Sequence, residues 1–99
     1  MTKIRAVSEI DDYHAHVYYD QNSKKHAEQL VAAMRNQFPG AVYGRWHDKP
    51  VGPHPDWSIQ VAFKPDLFAE IVPWLALNRG DQVIFLHPNS GDALSDHRD

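Results

Sequence analysis

The sequence predicts an α+β domain in which two helices cover one face of a four-stranded antiparallel sheet. Three observations carry this reading. Apolar residues alternate with period two in four short stretches, and they recur at helical spacing in two longer ones. The two kinds follow one another as strand, helix, strand, strand, helix, strand. At 99 residues the chain makes one domain, residues 1–99, long enough to fold around a single apolar core without cross-links.

Residues 1–11 alternate only weakly and form a lead-in that ends in Glu9-Ile10-Asp11-Asp12. Tyr13-His14-Ala15-His16-Val17-Tyr18-Tyr19 is the first strand, alternating and rich in aromatic and β-branched residues. Asp20, Asn22 or Ser23 can cap the first helix. Ala27, Leu30, Val31, Met34 and Phe38 form one stripe of that helix, near residues 23–38, and Pro39-Gly40 stops it. Residues 41–47, Ala41 to His47, read as the second strand. Asp48 to Pro55 contains Pro50, Pro53 and Pro55, cannot join a ladder, and is a loop. Trp57, Ile59, Val61 and Phe63 alternate with Ser58, Gln60 and Ala62 in the third strand. Lys64-Pro65-Asp66 opens a second helix near residues 65–79, with Pro in its first turn. Its stripe is Leu67, Ile71, Trp74, Leu75 and Asn78; Gly80 ends it, and Pro73 is expected to kink it. Gln82 to His87 is the last strand, expected to break at Pro88.

Right-handed crossovers turn this order into the ferredoxin-like βαββαβ sandwich, with spatial strand order 4-1-3-2. Strands 1 and 3 are expected to run parallel at the centre. The starts of strands 1 and 3 and the ends of strands 2 and 4 would then share one edge, bringing His14, His54, His47 and His87 together. Facing follows from alternation. Trp57, Ile59, Val61, Phe63, Ala15 and Val17 pack under the helices, which sends Ser58, Gln60, His14, His16 and Tyr18 to the open face. His14 and His16 would then stand about 6.7 Å apart along the strand, and Arg45 and His47 can share their face.

Composition narrows the chemistry. With no cysteine, disulfides, thiolate nucleophiles, iron–sulfur clusters and Cys-type zinc sites are excluded. Seven histidines, at 14, 16, 26, 47, 54, 87 and 97, leave imidazole and carboxylate as the available metal ligands. These suit Fe(II), Zn, Mn, Cu or Ni. The net charge of −3 comes with no long basic run, which speaks against a nucleic-acid partner. No apolar run approaches the ~18 residues of a membrane span, and the N-terminus lacks a signal pattern, so a cytoplasmic protein is expected. Each histidine alone has a bland reading. A lone His-x-His is more often incidental than a site, His54-Pro55 and His87-Pro88 read as turn and strand end, and His26 sits on a lysine-rich surface turn. Convergence of four favours a metal; the competing reading is a dimer face with histidines as polar core.

Five motifs occur together and in order: Tyr13 to Tyr19, Gly52-Pro53-His54-Pro55, Asn78-Arg79-Gly80, Leu86-His87-Pro88 and Asp96-His97. With them the sequence resembles the DOPA 4,5-dioxygenase family over residues 12–97. The resemblance implies a homodimeric ferredoxin-like domain that opens catechol rings beside the diol, using non-haem Fe(II) and O₂ on DOPA or a related catechol. Zn or another divalent ion could occupy a purified sample. By position it implies His14, His16, His54, His87 and His97 as the family's histidines, and Arg45 as its arginine; His47 matches less well. The metal set expected is His14, His16, His54 and His87, although a carboxylate, Asp56 or Asp96, could stand among the ligands. His97 and His47 are the acid/base candidates. Arg45 could pair with a substrate carboxylate, its bland alternative being a surface ion pair, and Tyr18 lies on the substrate side. The family continues past the Asp-His pair with an aromatic stretch, whereas this chain stops at Asp99, which bears on dimer geometry and pocket closure.

Two other classes stay open. A metal-free ligand-binding or oxygenase module of the dimeric α+β barrel type would use the same sheet face, and metal analysis separates it. A Zn-dependent hydrolase or lyase would use the same histidines, and O₂ uptake with a catechol separates that.

Overall fold

The structure, a computed structural model, describes residues 3–50, 52, 54 and 56–91. After a short 3₁₀ turn at Val7–Glu9 come β1 (Asp12–Tyr19), α1 (Lys24–Gln37), β2 (Val42–Tyr43), β3 (Trp57–Phe63), a second 3₁₀ turn at Pro65–Leu67, α2 (Phe68–Asn78) and β4 (Ile84–Asn89). The strands form one sheet in the order β2-β3-β1-β4, with every neighbouring pair antiparallel. This is the expected four-stranded sheet with two helices. Among the described residues no helix is long and apolar enough to cross a membrane.

Alternation places the core as predicted. Ala15, Val17 and Tyr19 of β1 and Ile59, Val61 and Phe63 of β3 are buried, together with Ala27, Leu30, Val31 and Met34 of α1 and Ile71 and Leu75 of α2. Burial of each large aliphatic side chain contributes about 1.5–3 kcal/mol. This packing sets which face of the sheet remains for chemistry.

Four expectations are corrected. First, β1 and β3 are antiparallel, with Tyr13 opposite Phe63 and Tyr19 opposite Trp57. The α1 crossover returns β2 in the direction of β1, and the β2–β3 connection then reverses the chain. The start of β3 therefore lies beside the end of β1, and the four strand ends carrying histidines do not share an edge. Second, the second strand is not continuous over residues 41–47. From Tyr43 opposite Val61, even counting would place Trp46 opposite Ser58, yet His47 occupies that position. The Gly44 amide still reaches the Gln60 carbonyl at 2.8 Å, so one extra residue is accommodated between Gly44 and His47, a β-bulge. Third, the second helix starts at Phe68, behind a 3₁₀ turn at Pro65–Leu67, rather than at residue 65, and ends at Asn78 with Pro73 inside it as expected. Fourth, Pro88 does not break the last strand. It pairs opposite Tyr13 on edge strand β4, where a missing N–H removes no bond to β1.

Two polar clamps fix the elements that carry the site. Gln82, 3% exposed, accepts a hydrogen bond from His26 Nδ1 at 3.0 Å and donates to the Tyr18 carbonyl at 2.6 Å, tying α1 to the end of β1. Gly80 makes room for this: it has φ +59°, and a Cβ there would stand 2.9 Å from His26 Cε1. At the other clamp, Asp48 accepts from the Tyr19 hydroxyl at 2.8 Å and from Lys24 Nζ at 2.6 Å. Lys24, then Tyr19, hold the Asp48 carboxyl below the usual carboxylate range. The clamp is therefore present at neutral pH and weakens as pH falls through that lowered value.

Replacing Gln82 with Ala should lower the unfolding free energy by about 1–3 kcal/mol, since it leaves buried polar groups unpaired. Urea denaturation checks this against Leu77→Ala at an exposed position, for which a change within about 0.5 kcal/mol is expected.

Candidate metal centre

The pleat of β1 sends Asp12, His14, His16 and Tyr18 to the face opposite the helices. Pairing with β4 sets His87 opposite His14 and Phe85 opposite His16. Three of the predicted ligands thereby meet: one donor atom each from His14, His16 and His87 lies within 4.8 Å of the other two. His16 and His87 are 4% and 2% exposed, and their rings stack at 5.1 Å with 12° between planes. Their Nε2 atoms are 3.1 Å apart.

That distance tests the fit to a metal. Two nitrogens bound to one ion at about 2.1 Å and at right angles stand about 3 Å apart. The His87 ring is also prepared for the role. The Pro88 carbonyl can only accept, so His87 Nδ1 donates to it at 3.0 Å, and the neutral ring presents its Nε2 lone pair toward His16. One further observation agrees. Asp12 Oδ1 is buried without a hydrogen-bond partner among the described residues, while Oδ2 lies 3.6 Å from His14 Nε2. A carboxylate with one buried oxygen, next to the His14 ring, suits a cation held nearby.

His54 reaches the same face from the β2–β3 connection. Its ring lies 4.1 Å from that of His16, and its Nδ1 is 2.8 Å from the Tyr18 hydroxyl. Burial, then the Asp56 carboxylate, push the Tyr18 hydroxyl pKa up, so it keeps its proton. A hydroxyl both donates and accepts, so it can hold the His54 ring in either tautomer. His54 is outside the group of three mutually close donors, packed against it through His16.

His47 arrives by way of the bulge. Without the extra residue, Trp46 would face the histidines and His47 the core. With it, Trp46 packs against Tyr19 at 5.3 Å in the helix-side core, and His47 turns to the opposite face. There His47, His16, His54, Ser58 and Gln60 line a cavity of about 120 Å³. Arg45 lies in the bulge, exposed and outside this lining, and Tyr18 is engaged by His54. Asp56 is exposed, away from the three imidazoles. Asp96 and His97 lie outside the described residues. At the centre of this face His16, Ser58 and His87 are buried.

Two contributors were not singled out from sequence. Asp12 stands two residues before His14, so Asp-x-His-x-His was the available signal. Phe85 stands two residues before His87, and its ring lies 5.9 Å from His16, 6.1 Å from His54 and 5.3 Å from His87, forming an apolar wall of the site.

The chain as a whole is similar to known proteins. A sequence profile described as the Dopa 4,5-dioxygenase family matches residues 13–99. A DOPA 4,5-dioxygenase of Amanita muscaria is 32% identical, over 91% of this chain and 43% of that protein. An uncharacterised 21.2 kDa protein of Botryotinia fuckeliana is 35% identical, over 88% of this chain and 52% of that protein. The chain thus spans about half the length of these curated relatives. A crystal structure of a proposed dioxygenase from Nostoc punctiforme superposes with a TM-score of 0.91 at 46% identity, covering 95% of this chain and 81% of that one.

Exchange of His16 or His87 for Ala should weaken divalent-ion binding at neutral pH by more than the about 10–100-fold typical of outer-shell partners. Binding by the parent should also fail in acid, where protons compete with the ion for the imidazole lone pairs. Equilibrium dialysis with metal analysis reads both. Full occupancy in both variants would remove these residues from the centre.

Proposed function

Because the chain belongs to the Dopa 4,5-dioxygenase family, we propose that it is a non-haem Fe(II)-dependent extradiol dioxygenase that opens DOPA or a related catechol with O₂. The observation that carries the reading is the 3.1 Å approach of His16 and His87 Nε2, with His14 beside them. Imidazoles of this kind would hold the ion, His14, His16 and His87 being the set that fits best. A bound Fe(II) supplies the redox path between catechol and dioxygen. Both oxygen atoms enter the product, so the reaction needs no external reductant.

The chain's own residues do the remaining work. The cavity beside His16 offers His47, Ser58 and Gln60 as polar contacts for a substrate, and Phe85 offers an aromatic wall on the neighbouring side. Ring opening requires a group that takes a catechol proton and later returns one. We propose His54 for this role, which the 2.8 Å contact of its Nδ1 with the Tyr18 hydroxyl supports: a ring held there can exchange a proton at Nε2 and keep its orientation. His97 of the Asp-His motif, and His47, are the other acid/base candidates. Arg45 is proposed to attract an anionic substrate from outside the cavity rather than to line it.

The decisive experiment is anaerobic Fe(II) loading followed by a panel of catechols in air. O₂ uptake together with a yellow, conjugated semialdehyde chromophore is the expected outcome. His54→Ala and His97→Ala should each retain iron and lose roughly 10²-fold or more in rate. An iron-loaded protein that leaves the whole panel uncleaved would overturn the dioxygenase reading.

A further inference from the structure

We infer that Asp12 is a positioning residue of the centre, a carboxylate that holds the His14 ring and whose charge is offset when the ion binds. The inference rests on the metal reading above and is independent of the reaction catalysed. Asp12 opens β1, and the period-two pleat puts it on the same face as His14 and His16. Its Oδ2 stands 3.6 Å from His14 Nε2, too far for a hydrogen bond but within ion-pair reach. Its Oδ1 is the buried side-chain oxygen found without a partner among the described residues. Asp12 is not itself one of the three mutually close donors, so it acts through His14.

Burying a carboxylate oxygen unpaired disfavours the metal-free protein, because nothing replaces the water it gave up. The same carboxylate becomes favourable once a divalent ion sits among the three imidazoles, since a ligating His14 ring is more polarised toward Oδ2 and carboxylates commonly orient such rings. Asp12 should therefore oppose stability when the metal is absent and support affinity when it is present. An ordinary structural residue would not combine those two signs.

The test compares Asp12→Asn and Asp12→Ala with the parent chain in two measurements. One is thermal melting in the presence of a chelator. The other is the Kd for Fe(II), added anaerobically and read by competition with a chromophoric chelator. The expected result for Asp12→Asn is a metal-free melting temperature at or above that of the parent, with affinity reduced about 10–100-fold. Unchanged affinity in both variants overturns the inference, as does a lower metal-free melting temperature for Asp12→Asn or failure of both variants to fold. Loss of binding in His16→Ala with full binding in Asp12→Asn would reject the role of Asp12 and leave the metal centre standing. A parent chain that binds no Fe(II) would reject both.

Discussion

The functional face of this protein depends on one constraint, the burial of alternate residues of β1 beneath the helices. Ala15, Val17 and Tyr19 are all but removed from solvent, and a strand pleat allows no independent choice for the residues between them. Asp12, His14, His16 and Tyr18 are thereby committed to the other face. A one-residue slip of β1 would bury the histidines in the apolar core and expose the core residues, so the hydrophobic free energy that folds the sheet also fixes the address of the imidazoles. Antiparallel pairing with β4 then adds Phe85 and His87 by the same rule.

The second half of the site is assembled by irregular structure. A single extra residue after Gly44 exchanges the roles of Trp46 and His47, giving the indole to the core and the imidazole to the cavity. The exchange is held from both sides, by Trp46 against Tyr19 and by Asp48 on Tyr19 and Lys24. His54 is held by the Tyr18 hydroxyl and by its tilted ring contact with His16. Regular secondary structure supplies the three closest donors, and a bulge and a loop supply the groups around them. Such a division puts the three close imidazoles on rigid strands and the groups around them on irregular backbone.

The centre also gathers groups that a protein selected for stability alone would not bury together. His16 and His87 present ring nitrogens to each other at low exposure, and Asp12 Oδ1 is buried with no hydrogen-bond partner among the described residues. A core of apolar residues at these positions would satisfy the sheet without such demands. Their combination is understandable where an ion completes the set, since binding free energy then offsets the cost of assembling like groups.

Periodicity alone determined the order of strands and helices, which faces of β1 and β3 are buried, and that His14 and His16 point away from the core. It also located the helix stop at Gly80, whose positive φ the structure requires. Periodicity carries no direction, however, so the antiparallel course of β3 beside β1 came only from the way the β2–β3 connection reverses the chain. The extra residue near Arg45 was invisible because Tyr43, Arg45 and His47 alternate without interruption in the sequence; only the partner strand reveals that one position is unpaired. Asp12 was obscured by its place at the end of a weakly patterned lead-in, and Pro88 looked like a strand end because its edge location depends on the whole sheet. His54 lies in a proline-rich loop, where spacing predicts no position at all, and only tertiary packing against Tyr18 and His16 decided where its ring would stand. Sequence determines local facing because side-chain direction repeats with the backbone; contacts between distant segments depend on register and chain reversal, which only the folded sheet fixes.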